Sequence, residues 1–384
     1  MNQKVLSRIC AAVICLAMVA TLAIPTGASA AARPKIVTAI KNNKSYNIMN
    51  PLMLKWYKGF QPGKTKTKIY AKFSEKSHPS VVTLKWKLKG AGSNVALKNV
   101  TVKVSMTKNM KYSKKNPVKT YKVRGEVLEL TNLFVGKRYY WQVTGKYRGK
   151  TLKSPIYTFR TNWTTRTLKV DGASNVRDLG GYKVPGGRVR QGMIYRSGNL
   201  DQLSKKGIAT MNKELGVKKQ LDLRRPTGEQ FIGNKKLLGA KKYINISAIQ
   251  YQDLYTDGVD KSIIAKELAV FANKNNYPIV FHCMIGRDRT GTLAFLINAL
   301  LGVNKKNLYA DYEMSFFSVS GCYSVTSSKS LTTKFNALYN YISNRYKGSK
   351  LNMKQRTEKF LIEECKVNPA HIKNIRKIMI EKGK

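Results

Sequence analysis

The short apolar run Tyr277-Pro278-Ile279-Val280-Phe281 leads directly into His282-Cys283-Met284-Ile285-Gly286-Arg287-Asp288-Arg289-Thr290-Gly291. The run has the length and composition of a buried strand. From Thr290 to Leu301 apolar residues recur at helical spacing and Gly302 stops them, which predicts a helix. A buried strand, a tight loop and a helix in succession commit this part of the chain to layered α/β packing. They also place Cys283 where the C-terminal end of a strand meets the N-terminus of a helix.

That placement suits anion chemistry. The first N–H groups of a helix have no intrahelical partner and point at whatever lies before them. A loop of successive inward-facing N–H groups forms an anion-binding nest. The same positive field favours a thiolate over a thiol. Residues Met284, Ile285, Gly286, Arg287, Asp288 and Arg289 therefore read as a phosphate cradle around Cys283. The planar fork of Arg289 is suited to grip two phosphate oxygens, which a lysine does not do. On this reading Cys283 is the nucleophile. It attacks phosphorus in line and forms a phosphocysteine that water later hydrolyses, while Arg289 stabilises the equatorial oxygens.

The decapeptide resembles the signature of the cysteine-dependent protein tyrosine phosphatase superfamily, His-Cys-x5-Arg-Ser/Thr-Gly. The resemblance extends upstream. Asn175-Val176-Arg177-Asp178-Leu179-Gly180-Gly181-Tyr182, Tyr195-Arg196-Ser197-Gly198-Asn199-Leu200 and Leu221-Asp222-Leu223-Arg224 with Glu229 are similar, in order and spacing, to segments of a bacterial branch, tyrosine phosphatase family 3. Members of that branch act on phosphotyrosine, on several phosphoamino acids or on phosphoinositides. The resemblance implies that Thr290 hydrogen-bonds the thiolate. His282 reads as structural, buried behind the loop and tuning Cys283 through backbone contacts, and Gly291 is counted with it as support for the loop. Arg177, Asp178 and Arg196 are expected to hold the loop by ion pairing. Several relatives carry Lys where this chain has Arg287, which keeps the charge but changes the geometry offered to substrate.

Protonation of the leaving group needs a carboxylic acid. Asp288, inside the loop, is the leading candidate. Asp222, at a strand end, is the second. Asp253 and Asp257 lie at the spacing where other phosphatases of the superfamily carry an acid loop. No cofactor or metal is required: the three histidines have no metal-ligand spacing, and the nest with Arg289 neutralises phosphate charge instead.

The ends and the charge set the context. Lys4 and Arg8, the apolar stretch Ile9 to Ile24 and Ala28-Ser29-Ala30 read as a secretory signal peptide over residues 1–30, so the mature protein is expected to be secreted or held at the cell surface. Beyond the leader, Cys283, Cys322 and Cys365 remain, too few for a disulfide framework. Cys322 and Cys365 are open to pairing, to burial as single thiols or to reversible protection of Cys283. With 71 Lys and Arg against 20 Asp and Glu, the net charge of +51 attracts polyanions. For an exported chain these are anionic cell-wall polymers, membrane headgroups and phosphorylated substrates. No nucleic-acid module is visible, so no specific nucleic-acid partner is expected. Nothing in the sequence sets an oligomeric state.

Residues 31–165 differ from the rest of the chain. Glu75, Glu126 and Glu129 are the only acidic residues before Arg160. Alternating runs such as Val81–Lys87 and Val100–Met106 predict half-buried strands. Val127–Leu133, Gly136, Tyr139–Val143 and Ser154–Thr161 resemble the last strands of a fibronectin type III domain. This predicts an all-β sandwich, then a polar link, Thr161 to Thr167. Residues 166–384 alternate strands (218–223, 243–249, 277–281) with helices (262–273, 290–301, 305–317, 331–346, 353–365). That pattern predicts a mainly parallel sheet flanked by helices.

The leading function is an exported phosphatase acting on protein phosphotyrosine. The runner-up is a phosphoinositide or inositol-phosphate phosphatase, favoured by Arg287 and the basic surface. A phosphate-ligand-binding adhesion module is a third reading, opposed by the intact Cys283, Arg289 and Thr290. A sulfur-transfer or arsenate-reductase enzyme is opposed by His282 and Thr290-Gly291.

Overall fold

The computed structural model describes residues 33–383 except 65–67, 72, 92–94, 112–117, 226–236 and 323–327. The leader expected at 1–30 and Glu229 lie outside the described residues.

The strand that leads into Cys283, Ile279–His282, is the middle of a five-stranded sheet. Its neighbours Ile194–Ser197 and Lys219–Asp222 both run parallel to it. Tyr243–Asn245 extends the sheet in parallel on one side, and Arg177–Asp178 closes it antiparallel on the other. All four side chains of the middle strand are buried, because helices cover both faces and no position alternates to solvent. The register sets Ser197, His282 and Asp222 side by side at the C-terminal edge. Cys283 leaves the sheet there, at the edge where ligands of open α/β sheets bind.

The helix Arg289–Leu301 is buried from Thr290 to Leu301 and ends at Gly302, whose φ of 89° is the left-handed conformation that a helix C-terminus favours in glycine. Around it pack Lys305–Glu313, Met353–Glu363 and Pro369–Met379. The sequence pattern predicts a helix continuing to 317. It gives way after Glu313 to a tighter 3-10 turn, Met314–Phe317. The helix Pro369–Met379 and the strand Ile380–Lys382, which pairs with Gly187–Val189, were not anticipated.

Residues 33–165 hold two further sheets. Lys35–Thr38, Val82–Lys89 and Val127–Leu130 form one. Lys44–Tyr46, Tyr157–Thr161, Arg138–Tyr147, Lys98–Ser105 and Lys119–Val123 form the other, with Lys150–Lys153 beside Arg138–Tyr147. They share a core in which Trp86 and Trp141 lie 6.5 Å apart.

The all-β expectation for this region needs correction. A helix, Pro51–Gly59, stands between two of its strands. Asn50 caps it by accepting from the Leu52 amide, and Pro51 supplies the pre-set first turn. Its Met53 and Trp56, with Met49 and Phe60, are buried in the core of the α/β unit. Trp56 packs 5.2 Å from Phe317. Burying these apolar side chains in that core joins the two units.

The expected link is also not a spacer. Thr161, Thr165, Arg166 and Thr167 are buried. Arg166 donates to the carbonyls of Asn132 (2.7 Å) and Leu133 (3.1 Å), and its guanidinium lies 3.9 Å over the Phe134 ring. Gln191 exchanges two 2.9 Å bonds with the backbone of Val135.

Candidate active site

The loop between His282 and Arg289 is fixed by its carbonyls. The Met284 carbonyl accepts from the amide and side chain of Asn199, at 2.9 and 3.1 Å. The Ile285 carbonyl accepts from Asn175 Nδ2 (3.1 Å) and Ser320 Oγ (3.3 Å). The Gly286 carbonyl accepts from Arg196 Nη2 at 2.7 Å. In a trans peptide the C=O and the next N–H point in opposite directions. Three carbonyls tied into the scaffold therefore turn the amides of Ile285, Gly286 and Arg287 toward the inside of the loop. Gly286 is required: its φ is 72°, and a Cβ there would sit 2.4 Å from the Ser197 carbonyl oxygen.

Cys283 is buried and unpaired at the start of this loop. His282 Nδ1 lies 3.1 Å from the Cys283 carbonyl and Nε2 lies 2.9 Å from Gln220 Nε2. Burial lowers the pKa of His282, so the ring is neutral near pH 7. A neutral ring donating from Nδ1 and accepting at Nε2 satisfies both contacts, which is the structural role expected of it.

Behind the loop lies a buried ion cluster. Arg177 Nε donates to Asp311 Oδ1 at 2.8 Å, and Arg196 pairs with Asp311 Oδ2 while it holds Gly286. Burial alone would raise the Asp311 pKa, but the two guanidiniums outweigh it and hold the carboxyl below its usual range. Asp311 was missed in the sequence. It lies on the helix Lys305–Glu313, well downstream of the signature, and carries no motif of its own.

Asp178 sits elsewhere. It pairs with Arg166 at 2.8 Å and accepts from the amides of Gly180 (2.8 Å) and Gly192 (2.6 Å). The ion pairing expected of it is present, but it braces the join between the two units and not the loop.

The acid candidates separate. Asp222 is fully buried and accepts from the Arg224 amide (3.0 Å), the Arg224 side chain (2.7 Å to Oδ2) and Tyr243 Oη (3.0 Å). Burial acts to raise its pKa but is outweighed by the charge and hydrogen bonds of Arg224, which hold it below the usual range. That environment keeps Asp222 ionised, so its candidacy as proton donor is corrected. Its anchored turn instead presents the Leu223 carbonyl, which accepts from Arg289 Nη1 at 3.3 Å. Asp253 caps the short helix Tyr251–Tyr255 by accepting from the Gln250 amide, and Asp257 is exposed beyond that helix.

Asp288 stays in the loop, partly open to solvent. It accepts from Tyr251 Oη at 2.9 Å and is gripped by Arg287 at 3.0 and 3.2 Å. Arg287 also donates to the Gly321 carbonyl at 2.7 Å and is itself buried.

Thr290 Oγ1 is buried without a hydrogen bond, so the bond to the thiol expected from the sequence is not formed in this structure. Gly291 packs against Tyr312, where a Cβ would come within 3.1 Å of the ring. Cys322 and Cys365 are buried single thiols, and burial pushes both up in pKa. Pairing between them is not seen.

The model of a family described as tyrosine phosphatase family matches residues 168–381. The chain belongs to the tyrosine phosphatase family. It is 31% identical over 168 residues to a Cupriavidus necator protein named "Putative tyrosine-protein phosphatase", covering 38% of this chain and 61% of that relative. The core catalytic domain of a PP-IP phosphatase from S. cerevisiae, solved with citrate, aligns with a TM-score of 0.28 at 19% identity. It covers 49% of this chain and 91% of that one. A second structure of that catalytic core aligns with a TM-score of 0.27 at 17% identity, over 41% and 90%.

Proposed function

We propose that the protein is a metal-independent phosphatase that hydrolyses phosphate monoesters through a phosphocysteine at Cys283, with protein phosphotyrosine as its substrate. The observation that carries this reading is the set of tied carbonyls at Met284, Ile285 and Gly286, which turns the consecutive amides that follow them toward the inside of the loop that Cys283 begins. Such a nest at the start of the helix Arg289–Leu301 suits a bound dianion. Arg289 takes the equatorial oxygens, and its contact to Leu223 sets its direction. Asp288 is the proton donor to the leaving oxygen and then draws a proton from the water that attacks the phosphocysteine.

Phosphotyrosine is favoured over a phosphoinositide by the state of Arg287. A guanidinium spent on Asp288 and on the Gly321 carbonyl is not presented to a second phosphate. The leader-like residues 1–30 and the high positive charge support export and attraction to anionic surfaces. Residues 33–165 are read as a fibronectin type III-like sandwich with a helical insertion. Support comes from Tyr139 Oη, which accepts the Phe134 amide at 2.8 Å as a tyrosine corner does.

The test is phosphate release by the mature protein, with reductant and chelator, from a phosphotyrosine peptide, a phosphoserine peptide and a phosphoinositide panel. Turnover of the phosphotyrosine peptide that disappears in Cys283→Ser is the expected result. Preference for a phosphoinositide would overturn the substrate assignment, and phosphate binding without turnover would leave a binding module.

A further inference from the structure

We propose that Glu75, which lies outside the region shared with the family, is a positioning residue for the phosphate loop. The proposal rests on the phosphatase reading of that loop. Glu75 is one of three carboxylates in a strongly basic stretch of more than a hundred residues, and it lies where the first unit reaches the second.

The backbone around it is docked on the turn that follows the helix Lys305–Glu313. Tyr70 and Ala71 amides donate to the Phe316 carbonyl (2.9 and 3.2 Å), and the Lys76 amide donates to that of Phe317 (2.8 Å). The Tyr70 ring stacks on Phe317 at 4.2 Å. This brings the Glu75 carboxylate between two chain segments. Oε2 accepts from the Val319 amide at 3.2 Å and from the Ser174 hydroxyl. Oε1 accepts from the Ser77 amide at 3.1 Å and from its hydroxyl. Four donors satisfy the carboxylate, so its charge is absorbed locally.

Both segments then reach the same atom of the loop. The Ser174 hydroxyl accepts the Ser320 amide at 3.2 Å, and Ser320 Oγ donates to the Ile285 carbonyl. Asn175, next to Ser174, donates to that carbonyl from the other side, with its own backbone held at φ 61°. The Ser174 carbonyl accepts the Gly198 amide at 2.9 Å, and Gly286 packs against that same peptide. The Ile285 C=O and the Gly286 N–H belong to one peptide plane. Whatever fixes the carbonyl outward therefore fixes an amide inward, toward phosphate. Glu75 clamps together the two supports of that plane, and it touches neither substrate nor reacting atoms.

The test uses the full chain and four variants: Glu75→Gln, Glu75→Ala, Ser174→Ala and the double Ala variant. Four quantities are read: affinity for inorganic phosphate by calorimetry, kcat and KM on p-nitrophenyl phosphate, and the thermal midpoint. Glu75→Ala is expected to weaken phosphate binding and lower kcat by about tenfold each. Ser174→Ala is expected to do the same, and the double variant to be no worse than the poorer single, since both act in one network. Glu75→Gln, which keeps one acceptor oxygen but turns an NH2 group toward two of the four donors, is expected to recover part of the loss. The proposal is overturned if phosphate affinity stays within about twofold in Glu75→Ala, if the two losses multiply, or if Gln does no better than Ala. Should Glu75→Ala not fold, Ser174→Ala decides by the same criterion. Phosphate binding that depends on Glu75 in a protein without turnover would sink the phosphatase reading and leave this one standing.

Discussion

At the residue scale, two aspartates that look equivalent along the chain differ in what surrounds them. Asp222 is buried under Arg224 and Tyr243, whereas Asp288 keeps some exposure in the loop. Asp288→Asn is expected to lower kcat by about a hundredfold or more for a poor leaving group such as tyrosine, and far less for p-nitrophenol. Asp222→Asn is expected to cost stability instead, with little dependence on the leaving group. A leaving-group series on both variants checks this, and the opposite pattern would return the acid role to Asp222. Glu267 makes a different prediction. Both its oxygens are buried without a hydrogen bond, and burial raises its pKa from 4.5 to about 8. The folded state keeps a proton there that the unfolded state releases, so this group's contribution to stability is fully present below pH 4.5. It declines as pH rises, and is lost by about pH 8. Glu267→Gln should flatten that decline and stabilise the protein by a few kcal/mol at pH 9, with little change at pH 4. Denaturant titrations of the two proteins across this range would show it.

At the element scale, the helix Pro51–Gly59 ties the first unit to the second. Its Trp56 is the largest side chain it buries, packed 4.7 Å from Phe60 and 5.2 Å from Phe317. Trp56→Ala is expected to cost about 3–5 kcal/mol in chemical unfolding. Because Phe317 leads into the turn that carries Val319 and Ser320, the same change should weaken phosphate binding. A loss of stability with phosphate affinity intact would mean that the helix is a brace only. The strand–loop–helix around Cys283 was readable because an apolar run, helical spacing and a glycine stop all fall within one short window. The helix Pro51–Gly59 carried equally local signals, Asn50 before Pro51 and apolar residues at Met53, Trp56 and Phe60. Residues 33 to about 60 fit the sandwich less clearly than the alternating strands that follow, and it is there that the helix stands.

At the scale of the whole molecule, the two units share buried surface and polar bonds, so the first is part of the second's support. Arg166 and Gln191 hold the corner Asn132–Val135, and Met53, Trp56 and Phe60 fill the α/β core. A truncated chain starting at residue 166 would expose that apolar surface. It is expected to aggregate, or to unfold at a clearly lower temperature than the full protein, as size-exclusion chromatography and thermal melts would report. A soluble, fully active fragment would refute the shared-core view.

Sequence alone determined the loop from Cys283 to Arg289 and the strand and helix that frame it. These depend on local spacing and on backbone geometry that a few residues dictate. Only the tertiary structure decided which partners hold the loop. Asp311 and Glu75 act across long stretches of chain, and nothing in their local sequence marks them. Only the structure separated Asp222 from Asp288 as well, because one is buried under Arg224 and Tyr243 and the other is partly exposed in the loop, and burial and neighbours are properties of the fold.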